Sequence, residues 1–102
     1  MTQVNYEEIE ELLNRLLFST VEVLSESESE EVKEFLGVGE YGLALETLVD
    51  IIVEEQKRIS HRVLTLILKL AAAMRLDEGS FEMRVKRFVV PTENDGEEEG
   101  SS

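Results

Sequence analysis

The chain has 102 residues, 42% of them hydrophobic, which is enough for one domain with a single modest core. Twenty-three acids against ten bases leave a net charge of −13, which disfavours nucleic acid and anionic membrane surfaces and favours basic partners. The absence of cysteine excludes a disulfide framework, thiol catalysis and zinc sites built on thiolates.

The N-terminal stretch MTQVNYEEIEELL carries acids where a signal peptide would carry bases. Asn5 is an N-cap candidate, with Glu7 and Glu8 in the first turn where the helix dipole favours them. Ile9, Leu12, Leu13, Leu16, Leu17, Val21 and Leu24 then follow the spacing of one helical face, which predicts a first helix of about five turns. Glu11 and Arg15 stand one turn apart as a favourable pair.

In SESESEEVKEFLGVGE, Ser27 or Ser29 is the expected cap of a short second helix, and Ser27 with Glu30 fits the capping-box spacing. The start of this Ser/Glu run also reads as an exposed loop. Gly37 and Gly39 end the helix, since glycine takes the left-handed conformation at little cost.

A third helix is expected from Glu40 to about Lys57. Tyr41, Leu45, Leu48, Val49 and Ile52 share one face, and Glu46, Asp50 and Glu54 stack on another. The apolar set is assigned to packing of helix three on helix four, and Gly42 to a close approach by a neighbouring helix.

Ser60 is the expected cap of a fourth helix running to about Leu76, apolar on nearly every side and therefore central in a bundle. Its run VLTLILKLAAAM is interrupted by Lys69 and is too short to span a bilayer, so a cytoplasmic location is expected. Ala71, Ala72 and Ala73 would permit close helix approach. DEGS is read as a break before SFEMRVKRFVVP, whose pattern fits either a helix or an extended segment. With Ser80 as a cap, the preferred reading is a short helix and an extended end. The fold class is thus all-α, a single-domain bundle of four to five helices over residues 1–90, with 81–90 helical or extended. The acidic tail over residues 91–102, PTENDGEEEGSS, is expected to be mobile.

Catalytic constellations are missing from the sequence. His61 is the sole histidine, expected at the second or third position of helix four, and no metalloprotease motif, nucleophile elbow or phosphate-binding glycine loop is present. The NDGEEE run lacks the ligand spacing of an EF-hand loop. Carboxylate pairs such as Glu7/Glu11 and Glu46/Asp50 read as solvated helix faces. The bases cluster as Lys57, Arg58 and Arg62, and as Arg84, Lys86 and Arg87, which suggests internal balance against acidic helices one and two. The reading is a non-enzyme with no catalytic residue, cofactor or metal.

The segment GEYGLALETL, residues 39–48, resembles the Maf-type family of bacterial immunity proteins and is similar to immunity proteins of contact-dependent growth inhibition systems. VKEFLGVG precedes the motif, and Ile59–Ser60 leads into an apolar helix, so the resemblance covers roughly residues 30–76. It implies a cognate antidote that binds the C-terminal domain of a secreted polymorphic toxin, often a nuclease, and blocks it inside the producing cell. The expected complex is one-to-one, with occlusion of the toxin's active site and no direct contact with nucleic acid or membrane. The candidate toxin-binding acids are Glu46, Asp50 and Glu54, with Glu26, Glu28, Glu30 and Glu31 as a second patch. The alternative is a non-enzymatic helical adaptor or structural protein that self-associates through an exposed stripe of helix four, and a homodimer is compatible with either.

Overall fold

A side chain takes up a free amide at the start of four of the five helices in the computed structural model, which describes residues 4–91. Asn5 accepts from the Glu8 amide at 3.1 Å and opens α1, Tyr6–Ser19. Ser25 opens α2, Glu26–Gly37, through a full capping box: the Glu28 amide donates to Ser25 Oγ at 3.1 Å, and the Ser25 amide donates to Glu28 Oε1 at 2.8 Å. Ser60 opens α4, His61–Ala73, and Asp77 opens α5, Glu78–Val85. Each such cap contributes about 1 kcal/mol. The remaining helix, α3, runs Tyr41–Glu54 behind Glu40, which makes no side-chain cap bond. A 3-10 turn, Lys86–Phe88, follows α5.

The all-α expectation holds among the described residues, but several boundaries move. The first helix stops at Ser19, because Thr20 turns the chain. Its hydroxyl, fully buried, donates to the Leu16 carbonyl at 2.9 Å, and its own carbonyl accepts from the Val23 and Leu24 amides. Leu24 returns to the core by this turn while Val21 faces solvent, so the run of apolar spacing past Ser19 is not helical. The second helix is capped by Ser25 rather than Ser27 or Ser29, and most of the Ser/Glu run is helical. DEGS does not break the chain ahead of a helix but begins one, with Asp77 as cap in place of Ser80. His61 is the first residue of α4, and that helix ends at Ala73. Gly39 adopts the left-handed conformation, with φ of 79°, as the end of α2 requires. A side chain at Gly42, by contrast, would meet open space, so no neighbouring helix approaches there.

The core is formed by Ile9, Leu13 and Leu16 of α1, Val32 of α2, Leu45, Leu48, Val49 and Ile52 of α3, Ile67 and Leu70 of α4, and Phe81 and Val85 of α5. Helix α3 rests chiefly on α2, with α5 and α1 alongside, whereas α4 lies against α1 and α5. The expected packing of helix three on helix four is therefore replaced by two helix pairs, α2–α3 and α1–α4, bridged by α5. Nor is α4 apolar all round: Arg62, Thr65, Lys69 and Ala72 recur at helical spacing as an exposed stripe.

After the 3-10 turn the chain end is extended from Val89, in line with the preferred reading of a short helix and an extended end. Ile59 and Val89 form an isolated parallel bridge, in which the Ile59 amide donates to Phe88 O at 3.0 Å and the Val90 amide to Ile59 O at 2.9 Å. The expectation of a mobile tail falls, apart from Pro91, outside the described residues. Among those described, no helix is long and apolar enough to cross a membrane.

Candidate functional site

The seven candidate acids fall into three overlapping groups, with Asp50 shared by the first and the third. Glu28 and Glu31 lie on the side of α2 that faces α3, and Asp50 and Glu54 on the exposed side of α3 that faces back. With Glu55, Thr47 and Ile51 they line one surface groove of about 310 Å³. Two patches more than fifteen positions apart in sequence thus become one acidic face. Glu26 and Glu30 fall on the opposite side of α2 by the same period and do not line the groove.

Glu46 and Asp50 belong to the third group, because α5 brings a cation to them. Arg84 Nη1 donates to Glu46 Oε1 at 3.1 Å, and Nη2 donates to Asp50 Oδ1. The guanidinium also sits 5.7 Å from the centre of the Phe81 ring, one turn back on its own helix, which fixes the side chain against the core edge. The fork of Arg84 therefore spans two carboxylates one turn apart on α3, a geometry that a lysine would not reproduce. Lys57 neutralises the other end of the groove, with Nζ 3.1 Å from Glu28 Oε1. The bases thus do provide internal balance, but Arg84 spends it on α3 rather than on the first two helices. Glu31, Glu54 and Glu55 have no ion-pair partner among the described residues, which leaves these carboxylates open to an outside cation.

One apolar side chain shares this stripe. Leu43 is 48% exposed and lies at helical spacing from Thr47, Asp50 and Glu54. Its place on the stripe follows from the helical period, but an apolar residue beside core positions does not stand out in the sequence as surface. The chain matches no protein-family profile, no curated protein and no solved structure. The chemistry of the face is therefore read from its own residues. Among the described residues, no group of three or more His, Asp or Glu is arranged to hold a metal ion.

Glu28 ties the face to the fold. Its carboxylate is held below the ordinary value of 4.5, chiefly by the Ser25 amide and next by Lys57, while desolvation opposes the shift. A carboxylate depressed in the folded state adds stability that is present above the unfolded value and lost as pH falls through the folded one. The stability difference between the wild type and Glu28→Gln should accordingly be constant at neutral pH and shrink as pH drops below about 4.5. Urea unfolding across an acid pH series reads this directly, and a difference that stays flat to the lowest pH would sink the assignment.

Proposed function

We propose that the chain is an immunity protein whose α2–α3 acidic face binds a basic toxin domain one-to-one in the cytoplasm and covers its active site. The observation that carries this reading is the convergence of Glu28, Glu31, Asp50, Glu54 and Glu55 on one groove, with three of the five carboxylates unpaired. A cleft built to hold phosphate presents arginines and lysines, and such a face complements it in sign. The field of a chain with net charge −13 also speeds encounter with a basic partner. The resemblance of residues 39–48 to Maf-type immunity proteins points the same way, although Ala44, Leu45 and Leu48 of that segment are core and its surface is made by Glu40, Leu43 and Glu46.

Leu43 is the apolar anchor within the acidic rim, the type of residue expected to be most sensitive to truncation in an interface. No step of chemistry is assigned to this chain; inhibition follows from occupancy. The self-associating adaptor would need an apolar exposed stripe on α4, and the stripe there is Arg62, Thr65, Lys69 and Ala72.

The test is to sequence the flanking genes and co-express the chain with the C-terminal domain of any large secreted protein found there. Rescue of growth, a stoichiometric complex and an affinity that falls steeply with salt are expected. Growth arrest that persists although both proteins are folded and soluble would overturn the proposal.

A further inference from the structure

A second groove, of about 760 Å³, runs between α1 and α4 and shares no residue with the acidic face. Its charge is opposite to that of the molecule: Arg15, Arg62 and Lys69 face a single carboxylate, Glu11. Arg15 Nη2 lies 3.2 Å from Glu11 Oε2, which cancels one pair. Arg62 and Lys69 have no ion-pair partner among the described residues, in a chain where acids outnumber bases by more than two to one. Beside them Phe18 stands 81% exposed, with the largely buried Leu66 also lining the groove. An aromatic ring left in water next to two unpaired cations leaves both apolar and electrostatic free energy to be gained on contact.

The groove continues past Lys69 along the same helix pair, where Glu8, Leu12, Ala72 and Ala73 line a smaller stretch of about 440 Å³. Helices α1 and α4 run antiparallel here, since Phe18 and Arg62 share one end and Leu12 and Ala72 the other. The surface is therefore elongated and graded, cationic and aromatic at one end and largely apolar at the other, where Glu8 is the one carboxylate and disfavours a ligand acid. A small molecule would fill one end only; a peptide segment fills the length.

We propose that the α1–α4 groove is a docking surface for a short acidic segment of a partner polypeptide. Its carboxylates meet Arg62 and Lys69, and its apolar side chains cover Phe18 and the stretch beside Leu12 and Ala72. An extended polyanion such as RNA does not fit the same surface, because its charge continues beyond the groove into the negative field of the rest of the chain. A short segment is spared most of that repulsion, since charges more than ~8 Å away are largely screened at physiological salt. The inference is independent of the acidic face and of the immunity reading.

The probe is a short synthetic peptide with glutamates at one end and leucine and phenylalanine at the other, titrated into the full ¹⁵N-labelled chain. Amide shifts confined to α1 and α4 are expected, with affinity falling about tenfold in Arg62→Glu/Lys69→Glu and in Phe18→Ala. All three substituted side chains are exposed or line an open groove, and thermal melts establish that each variant is folded. Four results would each overturn the proposal: no binding at millimolar peptide; equal binding of the peptide with glutamine or lysine in place of glutamate; unchanged affinity in the charge-reversed variant; or an oligonucleotide that shifts the same amides more strongly than the peptide.

Discussion

Leu48→Ala is expected to destabilise the protein by about 2–5 kcal/mol, the cost of removing buried methyl groups and leaving a cavity. Leu48 is fully buried in α3, the helix that α2, α1 and α5 all touch, so no single neighbour can move in to fill the gap without leaving another. For a domain of this size each kcal/mol corresponds to roughly 4–8 °C in melting temperature, so a fall of about 10 °C or more should appear in a thermal melt. Leu43→Ala in the same helix is the control. Its side chain is half in water, and its loss should cost well under half as much. Similar losses at the two positions would mean that α3 is not the helix around which the core is assembled.

The second large effect concerns binding. In Glu31→Lys/Glu54→Lys, two unpaired groove carboxylates change sign and the net charge moves from −13 to −9, a gain of two per substitution. Neither residue holds an ion pair among the described residues, so the fold should be unharmed, or slightly firmer as self-repulsion falls. If the proposed basic toxin domain is the partner, affinity for it should drop on the order of 10–100-fold, mainly through slower association, and its salt dependence should flatten. Glu46→Gln/Asp50→Asn offers the informative contrast. It frees Arg84 and leaves the unpaired acids in place, so its effect on association should be the smaller of the two. If the order is reversed, the partner engages the Arg84-paired acids of α3, and Glu31 and Glu54 are not the principal contact.

Where one residue alone satisfied a local rule, the sequence located it. Asn5 and Ser60 cap α1 and α4 as expected, and Gly39 takes the left-handed turn after α2. The run SESESE offers several registers for the same capping box, Ser25 with Glu28 and Ser27 with Glu30, and local chemistry does not rank them. The choice is made by tertiary structure: Leu24 is buried immediately before Ser25, and Lys57 arrives from another loop to hold Glu28. The end of α1 was hidden for a related reason. Val21 and Leu24 keep helical spacing beyond Ser19, and only the Thr20 turn reveals that one of them is buried by a different route.

The site was legible in type but not in arrangement. Glu46, Asp50 and Glu54 do share a stripe of α3, because that follows from the helical period alone. That two of them would meet Arg84, 34 and 38 residues away, depends on the path of α5 across α3, which no local pattern encodes. The cationic groove did carry a signal, since Arg62, Thr65 and Lys69 recur at helical spacing on α4 and Glu11, Arg15 and Phe18 on α1. It was masked by the high apolar content of α4, which drew attention to the residues that pack rather than to the narrow stripe that does not.

The bridge between Ile59 and Val89 has a kinetic consequence. It joins residues 30 positions apart, 59 and 89, with two backbone hydrogen bonds and no further rung. Such a contact repays its closure entropy only after α4 and α5 have already drawn the ends together, so it forms on the native side of the folding barrier. Interactions made that late change the rate of unfolding far more than the rate of folding. This single rung therefore acts as a brake on the opening of the chain, and contributes more to how long the molecule persists once folded than to how quickly it arrives.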